Sequence, residues 1–227
     1  MSTPSKLRVP KEHECAHVLI VEGYSDLHFY AAFLRHLGRL EGVYFQVFEG
    51  KSNILSRETL ADFINDKRLV EKQSIGVLLD GDLNPTGTGQ SMVDHLLAIT
   101  GRRVVEGEWH EVEGQARLGF FVAPDLLTEG EVETLAWNSL PADEKHSAMK
   151  SAVRSYLDQM ETLGWKTKSA DKGLVSAYLA AAYDEDPRLG PGAREGKFPF
   201  ESPGFDRLRR FLSVLPAKNR SGTSSSV

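Results

Sequence analysis

The sequence predicts an α/β protein, a parallel sheet with helices on both faces followed by a helical C-terminal extension. Three observations carry that prediction. Short apolar runs rich in β-branched and aromatic residues recur at 18–21, 43–48, 75–79 and 118–122, each with the length of a buried strand. Segments of helical period separate them, the alternation that parallel strands joined by right-handed crossovers produce. From Pro141 onward the strand signal stops and helical spacing alone remains.

The run Val18-Leu19-Ile20-Val21 leads into Glu22-Gly23. Residues 25–37 then place Leu27, Tyr30, Phe33, Leu34 and Leu37 on one helical stripe, with Ser25 or Asp26 able to cap its start and Gly38 its end. The second strand, 43–48, is followed by Glu49-Gly50-Lys51-Ser52-Asn53 and a helix to about residue 66. The third, 75–79, runs into a loop over 80–89 punctuated by Gly and Pro, before an apolar helix over 90–99. Residues 101–115 mix Val and Trp with Arg, Glu, Gly and His, and read as an edge hairpin or an irregular insert. The fourth strand, 118–122, ends at Pro124-Asp125. Helical periods cover 142–163 and 173–183, with a last helix near 205–215. The expected organisation is a sheet domain over 14–140, a helical extension over 141–216 and a disordered tail over 217–227.

The 227 residues can bury one core of good size, and no apolar stretch approaches the roughly 18 residues of a membrane span. The polar first residues lack the apolar centre of a secretory signal, so a cytoplasmic protein without a membrane partner is expected. A single cysteine, Cys15, removes intrachain disulfides and Cys-rich zinc sites. The net charge is −5 and uneven: 13 Lys and Arg oppose 21 Asp and Glu before Pro141, and 14 oppose 11 from there on. The acidic excess lies in the half that carries the strand signals.

Carboxylates close two of the strands. Glu22 ends the first run, and Leu78-Leu79-Asp80-Gly81-Asp82 ends the third. Open parallel sheets bind ligands at the carboxyl ends of their strands, and clustered Asp and Glu there supply the hard oxygen ligands of a divalent cation. Asp26 lies four residues after Glu22, where it either shares an ion with Glu22 or caps the helix. Asp80 and Asp82 alternate across a glycine and can project to one side. A calcium EF-hand loop also begins Asp-x-Asp-x-Asn, but needs Gly and Glu where this chain has Pro85 and Ser91. A haloacid-dehalogenase-type phosphatase motif normally continues to Thr or Val where this chain has Asn84, and normally lies in the first strand.

The pairing of Glu22 in Val-Glu-Gly with Asp80 and Asp82 in Leu-Asp-Gly-Asp resembles the Toprim domain of topoisomerases, primases and several nucleases. With Asp26 it is most similar to the Toprim domains of OLD-family nucleases and of small stand-alone bacterial Toprim proteins of uncharacterised function. The resemblance covers about residues 18–134. It implies a Toprim-like, Rossmann-like sheet and Mg²⁺ or Mn²⁺ held by Glu22, Asp26, Asp80, Asp82 and an acid from the segment Gly130-Glu131-Val132-Glu133, taken as Glu133. It also implies a lysine near the phosphate, taken as Lys172 with Lys168 next; both also fit a solvated helix face.

The implied activity is metal-dependent phosphodiester hydrolysis of DNA or RNA, with Glu22, Asp80, Asp82 and Lys172 in catalytic roles. Arg102, Arg103, Arg188, Arg194, Arg207, Arg209 and Arg210 are candidate backbone contacts, and Trp109, Trp137 and Trp165 candidate base-stacking or core residues. The rival reading is a non-catalytic metal- or nucleotide-binding regulatory module working with a partner ATPase. Gly50-Lys51-Ser52 imitates the end of a P-loop without the preceding glycine, so any ATP dependence comes from another protein. A homodimer through the C-terminal helices is a third possibility.

Overall fold

A computed structural model of the protein describes residues 10–167, 169–183 and 186–215. The strands are β1 (His17–Val21), β2 (Val43–Val47), β3 (Ser74–Asp80), β4 (Trp109–His110) and β5 (Arg117–Ala123). Among the described residues they form one five-stranded sheet in the order β2-β1-β3-β5-β4. The pairs β1·β2, β1·β3 and β3·β5 are parallel, and β4 is antiparallel to β5 at the edge.

The chain leaves β1 in one direction to make β2, then returns past β1 to make β3 and β5. Right-handed crossovers running in opposite directions place their helices on opposite faces. Accordingly α1 (Tyr24–His36), between β1 and β2, packs on one face, while α2 (Lys51–Ile54), α3 (Arg57–Ile64) and α4 (Pro85–Thr100) pack on the other. Strand alternation follows: Val18, Ile20, Ile75, Val77, Leu79, Leu118, Phe120 and Val122 face α2–α4, and Leu19, Val21, Leu78, Phe121 and Ala123 face α1. Asp80, two residues beyond Leu78, therefore turns to the α1 face.

That face also receives α5 (Val132–Asn138), α6 (Glu144–Thr162), α7 (Ala170–Ala182), α8 (Leu189–Arg194) and α9 (Asp206–Ser213). Residue 141 falls between α5 and α6, and side chains from before and after it enter one apolar cluster. Phe29 and Phe33 of α1 meet Phe200 edge-to-face, at centroid distances of 5.6 and 5.0 Å, contacts worth about 0.5–1.5 kcal/mol each beyond area burial. The edge is closed by Trp109, stacked on Phe211 at 4.8 Å and donating its indole N–H to the Phe211 carbonyl. Gly119 makes room for it: a Cβ there would stand 2.9 Å from the indole and 2.8 Å from the Glu108 carbonyl oxygen.

The helix expected to reach residue 66 is divided into α2 and α3, because Ser56 caps a new start by accepting the Thr59 N–H. The loop expected over 80–89 is shorter than the Gly and Pro content suggests. Asn84 caps α4 by accepting the Gly87 N–H at 2.9 Å, and Pro85 opens the helix, where its missing N–H costs nothing. The insert at 101–115 supplies the short edge strand β4. Among the described residues no helix is long and apolar enough to cross a membrane. The tail expected over 217–227 and Lys168 lie outside the described residues.

Candidate metal centre

The strand order reverses between β1 and β3, and a crevice outside the carboxyl ends of those two strands is where doubly wound sheets hold ligands. Glu22 and Asp80 stand there. Glu22 follows the last residue of β1, and its Oε1 accepts the Asp80 backbone N–H at 3.0 Å. Asp80 ends β3; its Oδ1 accepts the Val132 N–H at 2.8 Å, which ties the start of α5 to the strand end. Asp82 lies past the strand with φ at 51°, rather than in extended backbone. Its N–H donates to the Gly130 carbonyl and its carbonyl accepts from Gly130, at 2.6 and 2.8 Å. This bridge delivers Glu131 to the same place.

Asp80, Asp82 and Glu131 each offer a carboxylate oxygen, and these oxygens lie within 4.8 Å of one another. Asp80 and Glu131 are buried and Asp82 is exposed. Asp26 takes the capping role, its Oδ2 accepting the Gly23 N–H at 2.9 Å, and its field still reaches Glu22 and Asp80. Glu133 is only 4% exposed, and its Oε2 has no hydrogen-bond partner among the described residues. Of the segment 130–133, Glu131 rather than Glu133 completes the tight group of three. Sequence spacing offered both; only the Asp82–Gly130 bridge distinguishes them.

Lys172 is not free in the cleft. Its Nζ donates to Glu131 Oε2, and Ser169 donates its hydroxyl to the other oxygen of the same carboxylate. Lys51, in the Gly50-Lys51-Ser52 imitation of a P-loop, is the second cation among the described residues. Its Nζ donates to the Asp80 carbonyl at 2.7 Å and to Asp82 Oδ2 at 2.8 Å. The signal that could have found it is its place directly after β2, the neighbour of β1, on the carboxyl edge of the sheet.

Among the described residues six carboxyl groups (Glu22, Asp26, Asp80, Asp82, Glu131, Glu133) thus face two ammonium groups. Burial pushes Glu22 up to about 7, aided by the charges of Asp26 and Asp82 against the Asp80 N–H and Lys51. Burial likewise lifts Asp26 to about 6 and Glu133 to about 7, with Lys172 opposing in both and Glu131 reinforcing. Asp80 goes well above the usual carboxylate range through burial and then the charges of Asp26, Glu22 and Glu133. Burial alone would lower Lys172, but its bond to Glu131 and the charges of Glu133 and Asp80 raise it. The donor set of Asp80, Asp82 and Glu131 is all oxygen and partly dry, and nearby Glu133 Oε2 is buried with no hydrogen-bond partner among the described residues; an all-oxygen set of this kind fits a hard divalent cation.

The candidate nucleic-acid contacts divide. Arg207 is committed to Glu106 at 2.7 Å and to the Pro124 carbonyl at 2.8 Å, Arg209 to Asp206 and the Phe200 carbonyl, and Arg188 to Asp186. Arg102, Arg103 and Arg210 are exposed, and Arg194 is half-buried. Trp109 and Trp137 are packed into the apolar cluster, whereas Trp165 is exposed. No curated protein and no solved structure matches the chain. A family model does match, over residues 16–216, and the chain accordingly belongs to the family described as "Protein of unknown function (DUF3226)".

Proposed function

We propose that the protein is a Toprim-like, divalent-metal-dependent phosphodiesterase acting on DNA or RNA. The observation that carries this reading is the meeting of acids from the ends of β1, β3 and the start of α5 at the strand-order reversal, with more carboxylates than the described cations beside them can balance. Asp80, Asp82 and Glu131 would hold a Mg²⁺ or Mn²⁺ ion, with Glu22, Asp26 and Glu133 around them. Such an ion supplies an activated water and charge stabilisation at a phosphodiester.

The chain's own residues do the positioning. Glu22 fixes the Asp80 backbone through its N–H, and the Val132 N–H orients the Asp80 carboxylate. Lys172 and Ser169 hold Glu131 in one orientation. Asp80, Glu131 and Glu133 are buried, so charge interactions among them are stronger than they would be in bulk solvent.

The test is an assay of cleavage of single-stranded DNA, duplex DNA and structured RNA with Mg²⁺ or Mn²⁺. Wild-type protein is expected to cut at least one of them, and Glu22→Ala and Asp80→Ala to lose activity while keeping a cooperative melt. Undiminished cleavage by the pure double variant contradicts the proposal. Tight metal binding without cleavage of any substrate would favour a regulatory module that works with a partner ATPase.

A further inference from the structure

We propose that Lys51 is a resident cation that competes with a divalent metal for Asp82, so that the metal enters by displacing an ammonium group from the site. The inference rests on the metal-site reading above and concerns how occupancy of that site is controlled.

Lys51 is brought to the site by a built loop. Beyond β2 the backbone passes through positive φ at Glu49 (54°) and Gly50 (125°), and at Gly50 that conformation is strained for any side chain. The Gly50 N–H donates to the Glu22 carbonyl at 3.0 Å, which pins the loop to the end of β1. Asn53 reaches back to the Phe48 carbonyl at 2.8 Å. Lys51 then extends along the sheet edge to the turn at Asp80-Gly81-Asp82.

An ammonium group has three protons to donate, and this turn takes all three. They go to the Asp80 carbonyl at 2.7 Å, Asp82 Oδ2 at 2.8 Å and the Gly81 carbonyl at 3.4 Å. The Lys51 side chain is 19% exposed, against 55% for Lys172. Two of its three acceptors are carbonyls, which keep the turn in place; only the third is a carboxylate that a metal would use.

A small divalent cation needs its carboxylate ligands at about 2.0–2.1 Å. An ion shared by Asp80, Asp82 and Glu131 would set two positive charges within a few ångströms of Nζ, and like charges at that range repel strongly in a partly dry crevice. Lys51 can yield Asp82 and keep both carbonyls. The same site therefore has a cation with or without metal, and the ammonium sets how tightly the metal holds. Glu133 Oε2, buried with no hydrogen-bond partner among the described residues, indicates that Lys51 and Lys172 do not complete the neutralisation by themselves.

The experiment is a Mn²⁺ titration of the EDTA-stripped full chain, read by the paramagnetic resonance signal of free Mn²⁺, with no substrate present. Lys51→Met is expected to tighten Mn²⁺ binding by roughly ten-fold, and Lys51→Arg to stay within about two-fold of wild type because the charge is kept. In an Asp82→Asn background the gain from Lys51→Met should vanish. Unchanged or weaker binding by a cooperatively melting Lys51→Met protein overturns the proposal while leaving the metal site standing. Lys51→Gln, which keeps a donor for the carbonyls, provides the same comparison if the methionine variant does not fold. Absence of Mn²⁺ binding by wild type and every variant would instead overturn the metal reading, and this proposal with it.

Discussion

His17 and Asp80 lie at opposite ends of the same sheet, and the fold treats them in opposite ways. At the amino ends of the strands, His17 pairs in register with Ser74, and its Nδ1 lies 2.6 Å from the serine hydroxyl. Burial, with the charge of Arg117 behind it, pulls His17 down to about 4, so it is neutral and satisfied near pH 7. At the carboxyl ends, Glu22, Asp26, Asp80 and Glu133 are pressed together, and burial pushes every one of them up. Glu106 sharpens the contrast. The side chain of that acid is only 8% exposed, yet it accepts the Val122 N–H at 3.0 Å and pairs with Arg207. The fold pairs Glu106 with an arginine; at the carboxyl end the acids outnumber the cations beside them among the described residues, a pattern common at functional sites.

The largest expected effect exploits that surplus through pH. Carboxyl groups whose folded pKa exceeds the unfolded value hold more protons in the native state, so their stabilising contribution is complete below about pH 4 and is lost as pH rises through the folded values. Those values are about 6 for Asp26 and about 7 for Glu22 and Glu133. In EDTA, differential scanning calorimetry should show the contribution of this cluster falling between pH 4 and 7, by an amount on the order of 5–10 °C in Tm. Saturating Mg²⁺ or Mn²⁺ should reverse the fall, with an increment that grows with pH. A metal increment independent of pH would break the comparison.

Next in size is the compensated acid. Arg207→Met leaves Glu106 buried without its partner and should cost about 2–3 kcal/mol in urea unfolding, the lower end of the cost of breaking a buried pair because Arg207 is partly in water. Mn²⁺ affinity should not change. Lys172→Met removes the cation from Glu131, but more than half of the Lys172 side chain is exposed, so about 1–2 kcal/mol is expected. Unlike Arg207→Met, it should alter metal affinity, since Glu131 loses the group that orients it. The smallest effect is at Tyr30, whose hydroxyl is buried beside the acids with no partner among the described residues. Tyr30→Phe removes an unpaired polar group and should leave metal-free stability within about 0.5 kcal/mol or raise it.

Much of this was written in the chain at strand level. The apolar runs gave four parallel strands to within two residues, because buried strands admit little besides aliphatic and aromatic side chains. Elements opened by Pro and Gly were harder. Pro85 begins α4 instead of ending a loop, and α8 was missed since Leu189-Gly190-Pro191-Gly192 resembles a turn. In the structure Gly190 packs so closely on α1 that a Cβ would stand 2.8 Å from that of His28. At the site, Glu22, Asp80 and Asp82 were legible because they end apolar runs. Glu131 and Glu133 stand two residues apart and spacing does not separate them, and Lys51 sits in a Gly-Lys-Ser run that imitates a P-loop. Glu131 depends on a tertiary tie, the Asp82–Gly130 bridge, which no local pattern encodes, and Lys51 is held by the Gly50–Glu22 bond, with only its place after β2 as a local signal. Lys172, expected near a phosphate, is bonded to Glu131 in the structure.

The central claim is that the carboxyl end of the sheet is a divalent-cation site. Its most direct test is the anomalous difference density of a crystal soaked in Mn²⁺. The account predicts a peak enclosed by the carboxylates of Asp80, Asp82 and Glu131, absent from crystals of Asp80→Asn. A fully soaked crystal with no peak at that position, or with Mn²⁺ bound only elsewhere, would contradict it.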